Sequence, residues 1–76
     1  MASITLADLP VGTAGAVIKI EGSGAEIIRL MDMGFTPKTK VTLFKIAPLG
    51  DPYEVILRGY HLTLRVSECL KIKVEK

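Results

Sequence analysis

The hexapeptide Ala47-Pro48-Leu49-Gly50-Asp51-Pro52 constrains this chain more than any other stretch. Pro48 has no backbone N–H, so it ends or skirts a hydrogen-bonded ladder and no central strand runs through it. Asp51 precedes a proline and is held away from helical geometry. Gly50 can take the positive φ that a chain reversal often needs. Alternating apolar segments flank the hexapeptide on both sides, so it reads as a shaped loop between two strands and not as a linker.

The strand before that loop, residues 39–47, carries a break in its pattern. Val41 and Leu43 alternate with Lys40 and Thr42; then Phe44 and Ile46 become the apolar positions around Lys45. Side chains alternate strictly along a strand, so a regular ladder cannot bring both sets to one face. The pattern predicts a β-bulge or bend between Leu43 and Phe44. After the loop, residues 53–58 put Tyr53, Val55 and Leu57 on one face. Residues 61–65 put Leu62 and Leu64 inward and His61, Thr63 and Arg65 outward. Between them, Gly59-Tyr60 suits a two-residue hairpin turn with Gly at its first central position. Upstream, residues 15–20 form a first strand with Ala16, Ile18 and Ile20 on one face. Downstream, Ile72 and Val74 alternate with Lys71, Lys73 and Glu75 in a closing strand.

One helix is expected, over 24–33. Ser23 and Glu26 have the spacing of a capping box. Ile27, Leu30 and Met31 form an apolar stripe. Gly34 suits a left-handed C-terminal cap with Phe35 folded back over the last turn, and Pro37 prevents continuation. Thr5 and Asp8 have capping spacing ahead of Pro10, enough for a single turn. Residues 66–70 allow one more turn, capped by Ser67.

Five short strands in a 76-residue chain, with one helix between the first two, give a mainly β domain spanning residues 1–76. So few strands cannot build two full packed sheets, but they can close into a small barrel. Such a domain buries a modest fraction of its surface, which a hydrophobic content of 49% partly offsets. The single cysteine excludes an intrachain disulfide and fits a reducing compartment. The first residues have no basic, apolar leader pattern. The longest uncharged run, 9–18, is interrupted by Pro10, Gly12 and Gly15 and falls short of a membrane span. The expectation is a cytoplasmic protein with no direct membrane insertion.

The side-chain chemistry is sparse. One histidine, His61, and one cysteine, Cys69, cannot supply a structural zinc site. No nucleophile–base pair exists, so no catalytic residue, metal ligand or cofactor is expected. Gly22 and Gly24 do not make a phosphate cradle, because Glu26 in the helix's first turn repels an anion. His61 reads as a solvated residue beside a hairpin, while Cys69 and Met33 read as packing residues. Lys38, Lys40 and Lys45, with Arg58 and Arg65 on the next two strands, read first as solvated charges that keep a small barrel soluble; on adjacent strands they could make a shallow basic patch. A net charge of +2 does not argue for nucleic acid. The four aromatics, Phe35, Phe44, Tyr53 and Tyr60, are too few for a base-stacking platform or a proline-rich peptide groove.

Three segments together resemble the FeoA family in order and spacing: Leu30-Met31-Asp32-Met33-Gly34 with Pro37, the hexapeptide, and Leu62-Thr63-Leu64-Arg65 with Glu68. Leu6, Leu9 and Gly12 extend the likeness to the opening. The resemblance implies an SH3-like five-stranded barrel that acts as an accessory of bacterial ferrous iron uptake. Its implied partner is the FeoB transporter, bound at the cytoplasmic GTP-binding region, with recruitment to the inner face of the membrane by that partner. Carried onto this chain, the partner-contact positions are Leu49, Gly50 and Asp51, with Arg58 and Arg65. Ion pairing of Arg65 with Glu68 is the structural alternative for Arg65. Lys38 stands where the family usually has glycine, and Cys69 where it usually has alanine. Two other readings compete. The SH3-like terminal domain of an iron-dependent repressor shares part of the motif set, but the chain starts at Met1 and carries no DNA-binding helices. A small nucleic-acid-binding barrel is the other. Nothing in the sequence specifies an oligomeric state.

Overall fold

The computed structural model describes residues 4–76. The chain runs through β1 (Ile4–Thr5), a 3-10 turn (Leu6–Asp8), β2 (Ala14–Ile20), α1 (Ala25–Met33), β3 (Lys40–Ile46), β4 (Tyr53–Leu57), β5 (Tyr60–Leu64), α2 (Val66–Cys69) and β6 (Ile72–Glu75). The strands form one antiparallel sheet in the order β1-β6-β2-β3-β4-β5. All five expected strands are present. The sixth, β1, is two residues long and pairs Ile4 with Val74, too short to leave a periodic signal. One cluster of buried side chains draws on β2, β3, β4, β5, β6, α1 and the 3-10 turn, so the sheet curves round on itself.

The expected bulge is there. Leu43 lies opposite Val55 but Lys45 lies opposite Glu54, which leaves Phe44 as the extra residue. Its effect is the reverse of bringing Phe44 and Ile46 inward. Val41 and Leu43 are buried, whereas Phe44 and Ile46 stay substantially exposed, and the Phe44 ring meets His61 edge-on at a centroid distance of 5.0 Å. β2 holds a second bulge, between Val17 and Lys19. It buries Val17 and leaves Ile18 outside, so Ala16, Ile18 and Ile20 do not share an inner face. Gly15 permits the close crossing of β6, since a Cβ there would sit 3.2 Å from both Val74 Cγ2 and the Glu75 carbonyl.

The helix ends as predicted. Gly34 is left-handed at φ 114°. Its N–H reaches the Met31 carbonyl at 3.0 Å, and the Phe35 N–H reaches the Leu30 carbonyl at 3.2 Å. Phe35 is fully buried. The helix start differs. Gly24 takes the cap position, no side chain caps it, and Glu26 instead pairs with Lys71. The stripe differs too: Leu30 and Met33 touch the core, while Met31 is 45% exposed. At the chain's start the expected cap forms, with Asp8 Oδ2 accepting from Thr5 N–H at 3.1 Å and Thr5 Oγ1 at 2.9 Å.

The turn before β3 and the hairpin turn between β4 and β5 both use left-handed residues. The hairpin turn centres on Arg58-Gly59, one residue earlier than expected, at φ 54° and 85°. Leu57 lies opposite Tyr60, and positive φ at both central positions is a type I′ turn, which matches the strand twist. The turn before β3 is closed by the Thr39 N–H on the Thr36 carbonyl at 3.1 Å, with Lys38 at φ 74°.

Candidate functional site

The loop over 47–52 is built as the prolines require. The Ala47 N–H donates to the Pro52 carbonyl at 3.1 Å and the Gly50 N–H to the Ala47 carbonyl at 2.8 Å. Gly50 takes φ 91°, and the Asp51-Pro52 bond is cis. At its tip Leu49 is 97% exposed. An apolar side chain held in water by a closed loop does nothing for the core. From the same loop, Asp51 Oδ1 accepts the Val66 N–H at 3.1 Å and so caps the start of α2. Asp51, not Ser67, is therefore the side chain that meets α2's first amides.

Below the loop lies a cleft of about 490 Å³, lined by Arg29, Asp51, Pro52, Thr63, Arg65 and Glu68 among others. It joins α1, the loop, the end of β5 and the start of α2. Glu68 is only 7% exposed. One carboxylate oxygen accepts the Arg65 backbone N–H at 3.0 Å, and the other forms a salt bridge with Arg29. The expected Arg65–Glu68 ion pair is thus replaced: Glu68 takes the backbone of Arg65 and the side chain of Arg29. Arg29 lies 39 positions earlier in the chain, with no local pattern to announce the contact. Both carboxylates of the cleft are committed, whereas the Arg65 side chain is exposed and has no ion-pair partner among the described residues. The cleft therefore presents an unpaired guanidinium, and the loop on its rim carries the projecting Leu49 two residues before Asp51. Cys69 is buried close by. Desolvation, with the charge of Asp51 adding to it, pushes its thiol up to about 12, so it stays protonated.

Asp51 and Arg65 thus line one cleft, Leu49 and Gly50 belong to the loop that carries Asp51, and Arg58 lies elsewhere. Tyr53 opposite Leu64 marks the cleft end of the hairpin and Leu57 opposite Tyr60 the other. Four residues of strand separate them, roughly 14 Å. The single shallow basic patch does not form either. Lys45 faces Glu54 beyond the bulge, Arg65 lines the cleft, and Lys40 and Arg58 line a separate groove. His61 is exposed but engaged, its Nδ1 2.7 Å from Glu54 Oε2. Among the described residues, no three His, Cys, Asp or Glu side chains converge to hold a metal. Among the same residues, no helix is long and apolar enough to cross a membrane.

A family model described as the FeoA domain matches residues 4–76. The chain belongs to the FeoA family. Over 70 residues, 92% of its length, it is 33% identical to a fusion of Fe(2+) transport protein A with the Fe(2+) transporter FeoB from Porphyromonas gingivalis, and it spans only 8% of that long protein. The solution structure of a FeoA-like protein from Clostridium acetobutylicum superposes with a TM-score of 0.90 at 36% identity, covering 99% of this chain and 87% of that one. FeoA from Stenotrophomonas maltophilia, solved with zinc and described as a procaryotic SH3 domain protein, superposes at 0.83 and 28% identity over 95% of this chain and 89% of that one. The FeoA fold seen here is accordingly SH3-like. A manganese-dependent transcriptional repressor shares the fold at 13% identity, with a TM-score of 0.86 over 97% of this chain and 41% of that one. At that identity the likeness concerns architecture alone.

Proposed function

We propose that this FeoA-family protein serves bacterial ferrous iron uptake as a non-enzymatic accessory, docking on the cytoplasmic GTP-binding region of a FeoB-type transporter. The observation that carries the reading is the Porphyromonas gingivalis relative, in which a segment like this chain is joined to FeoB in one polypeptide. Fusion holds two domains at high effective concentration, the arrangement expected of parts that work in contact. The geometry supports it at residue level. Leu49 projects from a closed loop that Gly50 and Asp51 shape, and Asp51 of that loop lines a cleft with Arg65. In this reading Leu49 is the apolar anchor and Arg65 the charged flank of the interface, and the protein works on the cytoplasmic side of the membrane.

The test is capture of the purified protein by the intact transporter and by its soluble GTP-binding region, comparing the parent with Leu49→Asp. Leu49 makes almost no contribution to the core, so the variant keeps its circular dichroism spectrum and melting temperature. Burying one leucine at an interface contributes about 1.5–3 kcal/mol, so binding falls by roughly one to two decades. A folded Leu49→Asp protein that binds as tightly as the parent would remove the loop from the interface.

A further inference from the structure

Six cationic side chains lack an ion-pair partner among the described residues: Lys38, Lys40, Lys45, Arg58, Arg65 and Lys76. Four of them gather at one end of the barrel. The register Val41 opposite Leu57 brings Lys40 beside Arg58. Ala16 lies opposite both Lys40 and Glu75, which brings Lys76 to the same end. Lys38 sits two residues before Lys40, in the 36–39 turn. Of the carboxylates, Asp8, Glu21, Glu26, Asp51, Glu54 and Glu68 are engaged by other groups. Glu75 shares a hollow with Lys40 and Lys76, and Asp32 lies exposed on the last turn of α1.

Three details say what such an end would meet. A groove of about 280 Å³ is lined by Thr39, Lys40, Thr42, Ile56, Arg58 and Gly59: two cations, two hydroxyls and no carboxylate, a donor set suited to a single phosphate group. Among the described residues, Lys38 and Arg58 are the two non-glycine residues with positive φ. That backbone suits glycine or asparagine better, so each cation stands at a turn tip against local preference. Tyr60, 71% exposed, follows the Arg58-Gly59 turn; an exposed tyrosine among cations matches the headgroup layer of a bilayer. One aromatic does not make the stacking track that a nucleic-acid strand needs. Cations on protruding turns suit a flat charged plane.

We propose that this end of the barrel lays the domain on an anionic bilayer, with Lys40 and Arg58 gripping a lipid phosphate and Lys38, Lys76 and Tyr60 completing the contact. The inference is independent of which protein partner Leu49 serves. A basic residue near an anionic surface raises affinity about fivefold, so the contact alone is weak and reversible and fades as salt rises. It gains force when a second contact holds the domain nearby.

The test is co-sedimentation at low ionic strength with vesicles containing phosphatidylglycerol and with vesicles of phosphatidylcholine alone. The variant is Lys38→Gly, Lys40→Gln, Arg58→Asn. Glycine and asparagine suit the two left-handed positions, so the variant melts no lower than the parent. The parent pellets with the anionic vesicles and not the neutral ones, and the triple variant loses on the order of a hundredfold in affinity. Absence of parent binding to anionic vesicles, or undiminished binding by the folded variant, overturns the proposal. Inorganic phosphate is titrated in parallel without vesicles. Saturation of the groove at micromolar phosphate would assign it to a free anion and overturn the lipid. Capture of a polyglutamate peptide in place of vesicles would assign it to an acidic protein segment and overturn it equally.

Discussion

Replacing Arg29 by methionine tests whether the cleft is held by its buried charge. Methionine keeps the length of the stem and a good helix propensity but removes the guanidinium. Glu68 is almost enclosed; without Arg29 its carboxylate retains only the Arg65 N–H. Two unit charges about 4 Å apart attract by roughly 4 kcal/mol at an effective dielectric constant near 20. The Arg29 side chain is 54% exposed, so water screens about half of that and the net loss is about 2 kcal/mol. For a domain of this size that lowers the melting temperature by roughly 10 °C. Lys71→Met is the control, because it breaks the half-exposed Glu26–Lys71 pair and costs under about 1 kcal/mol. A second arm adds Glu68→Gln to Arg29→Met. The neutral amide still accepts the Arg65 N–H, so the double variant recovers part of the stability lost by the single one. Melting curves followed by circular dichroism read all four proteins. An Arg29→Met protein no less stable than Lys71→Met, or a double variant no better than the single, would refute the argument.

Cys69, with its raised thiol, is inert toward a disulfide reagent at pH 8 in the native protein and reacts only at the rate of unfolding; rapid native labelling would contradict its burial. The Thr5 backbone N–H, and then its hydroxyl, hold the Asp8 carboxyl below its usual value. That contribution to stability is complete above the unfolded carboxyl's pKa of about 4 and is lost as pH falls through the lower folded value. Urea midpoints between pH 5 and pH 2 therefore fall less steeply for Asp8→Asn than for the parent, and parallel curves would show the cap to be silent. Gly34→Ala places a Cβ 3.1 Å from Leu57 Cδ2 at a φ of 114°, which costs about 1–2 kcal/mol by urea denaturation; a loss under about 0.5 kcal/mol would mean that the helix end relaxes at little cost.

What could be read from the chain was whatever its local rules express. The lost alternation after Leu43 announced the bulge, because a period-two pattern cannot change parity without an extra residue. Gly34 before Phe35, with Pro37 beyond, announced the helix end. Features decided by competition were not readable. Ser23 and Glu26 have a good cap spacing, but Gly24 takes the cap and Lys71, far along the chain, takes Glu26. Arg58 carries no left-handed preference, so the hairpin turn was displaced by one residue toward Gly59-Tyr60. In the site, the proline-bracketed loop was visible, and the family likeness named Asp51 and Arg65 separately without placing them in one cleft. Arg29 and the depth of Glu68 arise only when α1 meets α2. Whether Leu49 was core or surface could not be told from an apolar residue at a loop tip, since either use leaves the same letters.

The way the 47–52 loop is fastened bears on how this fold diversifies. Its ends are tied by the Ala47–Pro52 hydrogen bond, and Asp51 ties it to the first amide of α2. Leu49 is fastened to nothing. The frame and the displayed residue are therefore separate: a substitution at Asp51 is felt in α2, while one at Leu49 leaves the barrel as it was. Position 49 is free to follow a changing partner, residue by residue, without the domain having to rediscover its fold each time.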